Sequence, residues 1–506
     1  MCCTLSKISF VDDADANKSL VLDLEQKLIR LCSADGKFTL TNANAGQSAR
    51  HDYANKSDCE KKIREIWGLM SNENLTNHSY EELINTNIFK YSPYTVLTEE
   101  QNAVSRDVLR FILNGLKDNM ESSALVMGSA GTGKTIVALN MIFTLLNIGR
   151  MNHGYEFNPD NEWHVLIRDW QDYVRVHGVP KIAFVVPMQS IRATLAEVVE
   201  DIGGDLGVGL VVGPTAVVKN QYDIVFVDES HRLKKRKNIV DYKNFDDCCR
   251  QLNLDSKKAN QLDWIVNRCK QRVLFYDATQ SIKSADVTPQ EYERSLNAGR
   301  INKYLLKSQM RCLGGDDYID YVNDVFALKN PLRKTFRDYE VETFNKASAV
   351  VSQIQLLERK HKLCRVVAGY SWEWKTKKYT LQKIKKNNLY DIDVDGNQYI
   401  WNTTNKNWIL SDNAINEIGC VHTIQGYDLN YVGIIFGKEI DYDEMNNRFV
   451  VNLNEFYDVK VKSATSPEKV QEYIVNAYKV MMMRGIKGCY LYACNPRMQN
   501  FLKKYF

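Results

Sequence analysis

Residues 128–135, Gly-Ser-Ala-Gly-Thr-Gly-Lys-Thr, constrain the fold of this chain more than any other stretch. An apolar run, residues 124–127, precedes them, and a helical pattern over residues 136–146 follows. Glycines let a backbone curl so that its N–H groups converge on phosphate oxygens, and the positive end of the following helix points at the same place. The pattern therefore predicts a P-loop between a buried strand and a helix.

A P-loop predicts a site for a nucleoside triphosphate with Mg²⁺. Lys134 would reach the terminal phosphates, and the Thr135 hydroxyl would be a Mg²⁺ ligand. A turn of the same composition without a ligand is the alternative, which the flanking strand and helix disfavour. The expected phosphate-binding residues are Gly128, Ser129, Ala130, Gly131, Thr132, Gly133, Lys134 and Thr135.

Two further strand patterns end in polar side chains. Residues 222–227 lead into Asp228 and Glu229, and residues 272–276 lead towards Gln280. Because parallel strands present their carboxyl ends at one ligand-binding edge, we expect Asp228 to bind Mg²⁺ and Glu229 to orient and deprotonate the attacking water. Gln280 would sense the γ-phosphate. Ordinary turn acids, and a turn amide that caps the next helix, are the alternatives.

The arrangement of apolar segments predicts the fold class. Residues 181–187 form a continuous apolar strand, and a helical run over residues 191–198 follows it. Strands buried on both faces that alternate with helices are typical of a doubly wound α/β domain with a parallel sheet. Upstream, Gln101 stands three residues after Thr98, which predicts a capping box. The same amide could instead read the adenine edge, and both roles remain open.

Composition restricts the class of protein only weakly. The chain has 506 residues, enough for about three domains, and its formal net charge of +4 neither requires nor excludes nucleic acid. No apolar segment approaches the roughly 18 residues that span a bilayer. Twelve cysteines without a Cys-x-x-Cys pair favour reduced thiols. We therefore expect a cytoplasmic protein that does not interact with a membrane.

Four segments together resemble superfamily 1 helicases, specifically the bacterial helicase-like proteins that share their motor domain with the Schlafen proteins. The resemblance extends from about residue 96 to the C-terminus, with Ser230 where alanine is commoner and Asp428 where many relatives carry glutamate. The serine should leave the metal chemistry intact. The segments are Asp228-Glu-Ser-His-Arg232, Ser308-Gln-Met-Arg311-Cys312, Ile418-Gly-Cys-Val-His422-Thr-Ile-Gln425-Gly-Tyr-Asp428 and Asn476-Ala-Tyr-Lys-Val-Met-Met-Met-Arg484-Gly.

The resemblance implies two RecA-like parallel-sheet domains that face each other across the nucleotide. It implies that Arg311 and Arg484 are arginine fingers, although surface arginines that pair with acids are the alternative. It also implies that His422, Gln425 and Gly426 couple the nucleotide cleft to a groove for a nucleic-acid strand. A hydrogen-bonded His422 in a structural turn is the alternative.

The expected domains are residues 1–95, a small α+β region of unknown role; 96–300, with the P-loop and the acidic motif; and 301–506, with the arginine fingers. An insertion near residues 365–412 combines tryptophans with lysines, a composition that suits phosphate contact and base stacking or a merely solvated hairpin. Its candidate nucleic-acid contacts are Trp372, Trp374, Lys377 and Lys378. A second basic stretch, residues 234–237, is equally ambiguous.

These features predict an ATPase that uses Mg²⁺, binds single-stranded DNA or RNA between its lobes, and moves along the strand. The alternative is an NTPase switch, triggered by nucleic acid or a partner, that unwinds nothing. Residues 1–95 could also dock a protein partner or carry a nuclease. Glu25 and Lys27 there have Glu-x-Lys spacing, but we favour a solvated helix face for them. DNA cannot be distinguished from RNA by these patterns, nor ATP from GTP.

Overall fold

The structure is a computed structural model. The chain forms two compact units, Met1–Val96 and Leu97–Phe506. No helix in the described part of either unit is long and apolar enough to cross a membrane. The structure describes residues 17–38, 59–91, 97–129, 131–148, 159–203, 209–277, 285–297, 299–307, 312–404, 408–424, 427–464 and 466–506.

The described part of the N-terminal unit is helical. Its core joins Leu31 of the first helix to Trp67 and Leu83, and the β component expected here is not found in residues 17–38 or 59–91. Glu25 and Lys27 lie on the first helix, as favoured, and Lys27 Nζ lies 3.4 Å from a Glu60 oxygen. The helices are α1 (Lys18–Asp35), α2 (Cys59–Asn72), α3 (Tyr80–Leu83) and α4 (Asn87–Lys90).

A six-stranded sheet forms the first half of the second unit. Its strands are β1 (Ser122–Gly128), β2 (Ile182–Val185), β3 (Val211–Val212), β4 (Tyr222–Val227), β5 (Cys269–Tyr276) and β6 (Arg300–Leu306). All are parallel, in the order β3-β2-β4-β5-β1-β6. The chain therefore crosses two strands between β1 and β2, and the ends of β4 and β5 lie beside the loop after β1. This sheet continues past residue 300.

Helices connect these strands and begin at the signals that the sequence contains. Thr98 and Gln101 form the predicted capping box, and Thr288 forms another in front of Pro289. The helices are α5 (Glu99–Lys117), α6 (Lys134–Asn147), α7 (Glu162–His177), α8 (Gln189–Gly203), α9 (Pro214–Val218), α10 (Tyr242–Gln251), α11 (Gln261–Arg268) and α12 (Pro289–Leu296).

A five-stranded parallel sheet organises the second half. Its helices are α13 (Gly315–Phe326), α14 (Ala347–His361), α15 (Leu381–Lys386), α16 (Val421–Ile424), α17 (Val459–Ala464), α18 (Pro467–Met482) and α19 (Pro496–Tyr505). The strands of this half are β7 (Glu340–Thr343), β8 (Cys364–Ala368), β9 (Ile392–Val394), β10 (Asn397–Tyr399), β11 (Ile418–Cys420), β12 (Leu429–Phe436), β13 (Ile440–Asp443), β14 (Arg448–Val451) and β15 (Gly485–Ala493).

The sheet order in this half is β11-β8-β12-β15-β7, and two short antiparallel pairs, β9 with β10 and β13 with β14, lie apart from it. Every residue of β12 is buried, as a central parallel strand requires. The two parallel sheets confirm the predicted α/β class of two RecA-like domains.

The segment between β8 and β11 folds around Asp391. The Asp391 carboxylate accepts hydrogen bonds from the Thr376 backbone N–H (2.8 Å), the Thr376 hydroxyl (2.6 Å) and the Trp401 N–H (3.0 Å). Trp401 is fully buried and connects the segment to Ile418 of β11 by a backbone bridge. One buried carboxylate therefore joins three distant points of the insertion.

We predict that Asp391→Ala destabilises the insertion by roughly 3 kcal/mol, because it leaves two buried N–H donors and a hydroxyl unpaired. Amide exchange measured by mass spectrometry should accelerate across residues 374–402 and stay unchanged in the six-stranded sheet. Asp393→Ala, at an exposed position on β9, is the matched control. Equal exchange in the two variants would contradict this role.

Candidate functional site

The glycine-rich loop after β1 turns tightly, with the Thr132 N–H donating to the Ser129 carbonyl at 3.4 Å. Gly131 and Gly133 have φ values of 88° and 79°, which residues with a Cβ rarely adopt. A Cβ at Gly128 would lie 2.5 Å from the Thr132 hydroxyl, so this loop has no room for a side chain there. The loop residues therefore fit phosphate contact by backbone N–H groups.

Lys134 begins α6 and lies almost completely buried beneath the loop. Its ammonium donates to the carbonyls of Gly128 and Ser129, both at 2.8 Å, and lies 3.6 Å from Asp277 Oδ2. Asp277 directly follows β5 and is itself buried. The loop lysine thus has a fixed counter-charge, which the sequence analysis did not assign. The sequence signal for Asp277 is an acid directly after the third strand pattern, which is β5.

Thr135 and Asp228 place a hydroxyl and a carboxylate side by side. The Thr135 hydroxyl donates to Asp228 Oδ2 at 2.8 Å, and Asp228 is 1% exposed. Mg²⁺ takes few protein oxygens and keeps waters and substrate phosphates as its other ligands. Within the described residues no cluster of three His, Cys, Asp or Glu could hold a metal. The two side chains therefore fit a Mg²⁺ that a bound nucleotide also coordinates.

Glu229 has a left-handed backbone conformation, with φ 46° and ψ 46°. This conformation is uncommon for a residue with a side chain and occurs often at functional sites. His231 Nε2 lies 3.0 Å from Glu229 Oε2, while His231 Nδ1 accepts a hydrogen bond from the Asp277 N–H. Because Nδ1 accepts, Nε2 is the ring nitrogen left near Glu229, at ion-pair distance but without hydrogen-bond geometry. His231 was part of a quoted motif, but the sequence did not indicate this role.

Burial and charge act differently on the two neighbouring acids. Burial, reinforced by the charge of Glu229, raises the pKa of Asp228 to about 7. Burial also opposes ionisation of Glu229, but His231, Lys134 and Arg232 outweigh it and hold the pKa of Glu229 well below its usual range. Glu229 is therefore ionised, whereas the charge of Asp228 depends on a nearby cation.

Gln101 connects α5 to the loop. Its Oε1 accepts from the Thr98 N–H at 3.0 Å, and its Nε2 donates to the Thr132 carbonyl at 2.9 Å. The side chain is 4% exposed. The capping role is confirmed, and the same amide also supports the back of the phosphate loop. Adenine reading by Gln101 stays a prediction.

Ser230 is enclosed behind the acidic motif. Its hydroxyl donates to the Phe275 carbonyl and accepts from the Tyr292 hydroxyl, both at 2.7 Å. Ser230 and Tyr292 are both buried. The serine found here in place of alanine therefore has a hydrogen-bonding function behind the acidic motif.

The second sheet contributes Arg484 and His422. Arg484 follows α18, is 2% exposed, and is held by backbone bonds to Met481 and Leu429. It is therefore not the surface arginine of the alternative interpretation. His422 is half-buried on α16, with Nε2 3.4 Å from the Tyr473 hydroxyl and 3.8 Å from Asp458. A coupling role for His422 and a finger role for Arg484 stay predictions.

The two halves of this unit meet near these residues. Tyr427, within the His422 motif, is hydrogen-bonded to Thr194 of α8. Arg232 and Asp286 form a buried ion pair at 3.2 Å, and both act electrostatically on Tyr473. The acidic motif is therefore linked through Arg232 and Tyr473 to His422. Ala130, Gln280, Arg311, Gln425 and Gly426 lie outside the described residues.

The candidate tryptophans of the insertion pack inwards. Trp372 and Trp374 are half-buried, with ring centroids 6.3 and 6.4 Å from that of Trp401. Trp372 also donates to the Asp393 carbonyl at 3.2 Å. Lys377 Nζ lies 5.4 Å from the Trp374 ring centroid, and Lys378 is exposed. The tryptophans therefore contribute to the packing of the insertion.

Comparison with known proteins identifies the family. Residues 121–495 match the Schlafen group 3 DNA/RNA helicase domain. The chain belongs to this family. It is therefore a helicase-like protein, as the resemblance implied.

This Schlafen group 3 helicase domain is also similar to the uncharacterized protein YPL245W of Saccharomyces cerevisiae, with 23% identity over 450 residues, 80% of this chain and 90% of the yeast protein. A solved arterivirus nonstructural protein 10, a helicase in complex with DNA, matches at 12% identity with a TM-score of 0.30. That match covers 78% of this chain, which spans 65% of the viral chain.

In this Schlafen group 3 helicase domain, we predict that Ser230→Ala lowers the free energy of unfolding by about 2 kcal/mol, because the Tyr292 hydroxyl and the Phe275 carbonyl lose their partner. Tyr292→Phe should cost about 1 kcal/mol. The double variant should cost clearly less than the sum, since it removes the orphaned hydroxyl. Urea denaturation measures all three, and strictly additive effects would show that the two hydroxyls are not coupled.

Proposed function

We propose that this chain is a Mg²⁺-dependent ATPase whose hydrolysis drives movement along a single strand of DNA or RNA. Membership of a DNA/RNA helicase domain family supports the nucleic-acid part of the proposal. One observation carries the catalytic part. At one edge of the six-stranded sheet, a loop ammonium, a hydroxyl–carboxylate pair and an ionised glutamate converge, namely Lys134, Thr135 with Asp228, and Glu229.

Binding of the triphosphate rests on groups that are already in position. The N–H groups of the phosphate loop and of the first turn of α6 contact the phosphate oxygens. Lys134 exchanges two carbonyl acceptors for phosphate oxygens, while Asp277 keeps its ammonium in place. Thr135 and Asp228 hold Mg²⁺, which when bound neutralises phosphate charge during transfer.

Glu229 orients the water that attacks the γ-phosphate. Its lowered pKa keeps it ionised, so that it accepts a hydrogen bond from that water. His231 restrains one carboxylate oxygen at 3.0 Å, and the left-handed backbone fixes the direction of the side chain. Restraint of this kind contributes to catalysis because the geometry exists before the substrate arrives.

The second lobe completes the site when the lobes close. Arg484 and Arg311 supply positive charge to the γ-phosphate. Gln280 contacts the nucleotide from the first lobe, and Gly426 contacts it from the second. His422 and Gln425 lie between this cleft and the strand. Closure on ATP and reopening after hydrolysis change the strand contacts and produce a step. The helical N-terminal unit binds a protein partner in this proposal.

We predict that Lys134→Ala abolishes ATP hydrolysis and weakens nucleotide binding, whereas Glu229→Gln retains binding and lowers kcat by a factor of about 100 or more. Glu293→Gln, an exposed acid on α12, is the matched control and should hydrolyse normally. Steady-state hydrolysis and nucleotide titration measure these effects. Normal turnover by Glu229→Gln would show that another group positions the water.

The nucleic-acid part of the proposal predicts that single-stranded DNA or RNA stimulates hydrolysis by the full chain at low salt, and not by Glu229→Gln. A strand-displacement assay then separates two mechanisms. A motor displaces the annealed strand only with ATP. Stimulated hydrolysis without displacement would contradict duplex unwinding and favour the NTPase switch. Hydrolysis that responds to neither polymer would refute the nucleic-acid part.

A further inference from the structure

We propose that the insertion carries a preformed surface for single-stranded nucleic acid, on which lysines contact phosphates and Tyr379 stacks on a base. This inference rests on the proposed function and adds a contact beyond the cleft between the lobes. We call it the lysine–tyrosine surface, and it consists of Lys375, Lys378, Tyr379, Lys383, Lys385 and Lys386.

The charge of this surface is not neutralised by the protein. All five lysines are exposed, and none forms an ion pair within the part of the chain that the structure describes. Of the described acids nearby in sequence, Glu373 and Asp393 are exposed but form no ion pair with these lysines, and two others have partners of their own. Asp391 bonds Thr376 and Trp401, and Asp395 accepts from the Tyr492 hydroxyl at 2.7 Å. A cluster of unpaired ammonium groups attracts a polyanion, and a nucleic-acid backbone supplies charge at regular spacing.

The second basic stretch is different, although its sequence is equally basic. Lys235 Nζ lies 3.1 Å from Glu291, and Arg236 forms two hydrogen bonds to Asp246, at 2.6 and 2.8 Å. Two of the four cations of this stretch therefore already have acidic partners, which phosphates would have to displace. Contact geometry therefore distinguishes two stretches that composition alone could not.

An exposed aromatic ring lies among the lysines. Tyr379 is 42% exposed, and Lys383 Nζ lies 4.7 Å from its ring centroid. Trp372 and Trp374, by contrast, are committed to packing against Trp401. Base stacking on an aromatic ring beside cations is the usual mode of binding for single strands. Tyr379 therefore replaces the tryptophans as the stacking residue.

The position of the insertion suits a strand that leaves the cleft. The insertion starts at the carboxyl end of β8, the edge at which parallel sheets bind ligands. Tyr370, at its start, lies 5.8 Å from His422, ring centroid to ring centroid. Asp391 holds the segment in shape before any ligand binds, which reduces the entropy lost on binding.

The first test compares two variants of the full chain that carry the same charge change. One combines Lys378→Gln, Lys383→Gln, Lys385→Gln and Lys386→Gln. The control combines Lys257→Gln, Lys258→Gln, Lys503→Gln and Lys504→Gln, at exposed lysines elsewhere. Fluorescence anisotropy measures the Kd for single-stranded DNA and RNA of one sequence at several salt concentrations, and thermal melting verifies folding.

The lysine variant should bind at least about tenfold more weakly, and its log Kd should depend less steeply on log salt, by about 2 to 3 units of slope. The control should change neither quantity by as much. Equal losses in the two variants would overturn the proposal, because they would reflect net charge alone. So would lysine-dependent binding to phosphatidylserine vesicles with no effect on nucleic acid.

The second test addresses stacking. Tyr379→Ala should weaken binding of an ordinary oligonucleotide about fivefold or more, and should leave unchanged the binding of one with abasic sites throughout. Equal effects on the two oligonucleotides would refute stacking.

Failure of the unmodified chain to hydrolyse ATP contradicts the proposed ATPase and leaves this surface standing. If nucleic acid stimulates hydrolysis normally, but neither the lysine variant nor Tyr379→Ala binds nucleic acid more weakly, this surface alone is refuted.

Discussion

Burial of Lys134, Asp228 and Asp277 at one sheet edge, beside the half-buried Glu229, is the constraint on which the rest of the site depends. Lys134, Asp228, Glu229 and Asp277 lie at the ends of three adjacent parallel strands or in the loop after them. Isolated buried charges would be strongly destabilising, so each requires a partner within a few ångströms. Lys134 balances Asp277, and His231 joins Glu229 to the Asp277 backbone. The parallel arrangement makes these pairings possible, because it ends every strand at the same edge.

The same constraint explains why the acidic motif extends beyond its two acids. His231 holds Glu229 and, through Nδ1, the end of the neighbouring strand. Arg232, the next residue, pairs with Asp286 and acts on Tyr473 of the second half. Tyr473 in turn contacts His422. His231 and Arg232, consecutive in one 3₁₀ turn, thus contact the nucleotide site and the second half of the unit, respectively. This turn is a physical route by which the nucleotide site could influence the second half.

Much of this arrangement could be predicted from the sequence because it depends on local signals. The phosphate loop, the capping box of Gln101 and the acids after β4 each follow from residue types at short spacing. Partners distant in sequence could not be predicted this way. The Tyr292–Ser230 bond spans 62 residues, and Asp277 reaches Lys134 only because β5 pairs with β1. The N-terminal unit was predicted least well, since the β component expected from its short apolar runs is not found in residues 17–38 or 59–91.

The two basic stretches show why composition is a weak guide to binding partners. Each has several cations within a few residues. What separates them is where the acids lie, and this is a property of the fold. The acidic residues of α10 and α12 reach back to Lys235 and Arg236. In the insertion, Asp391 faces inward and holds the backbone, and no described acid forms an ion pair with the exposed lysines. A carboxylate used for folding is not available to neutralise a surface, and the charge left outside is then free to act on a ligand.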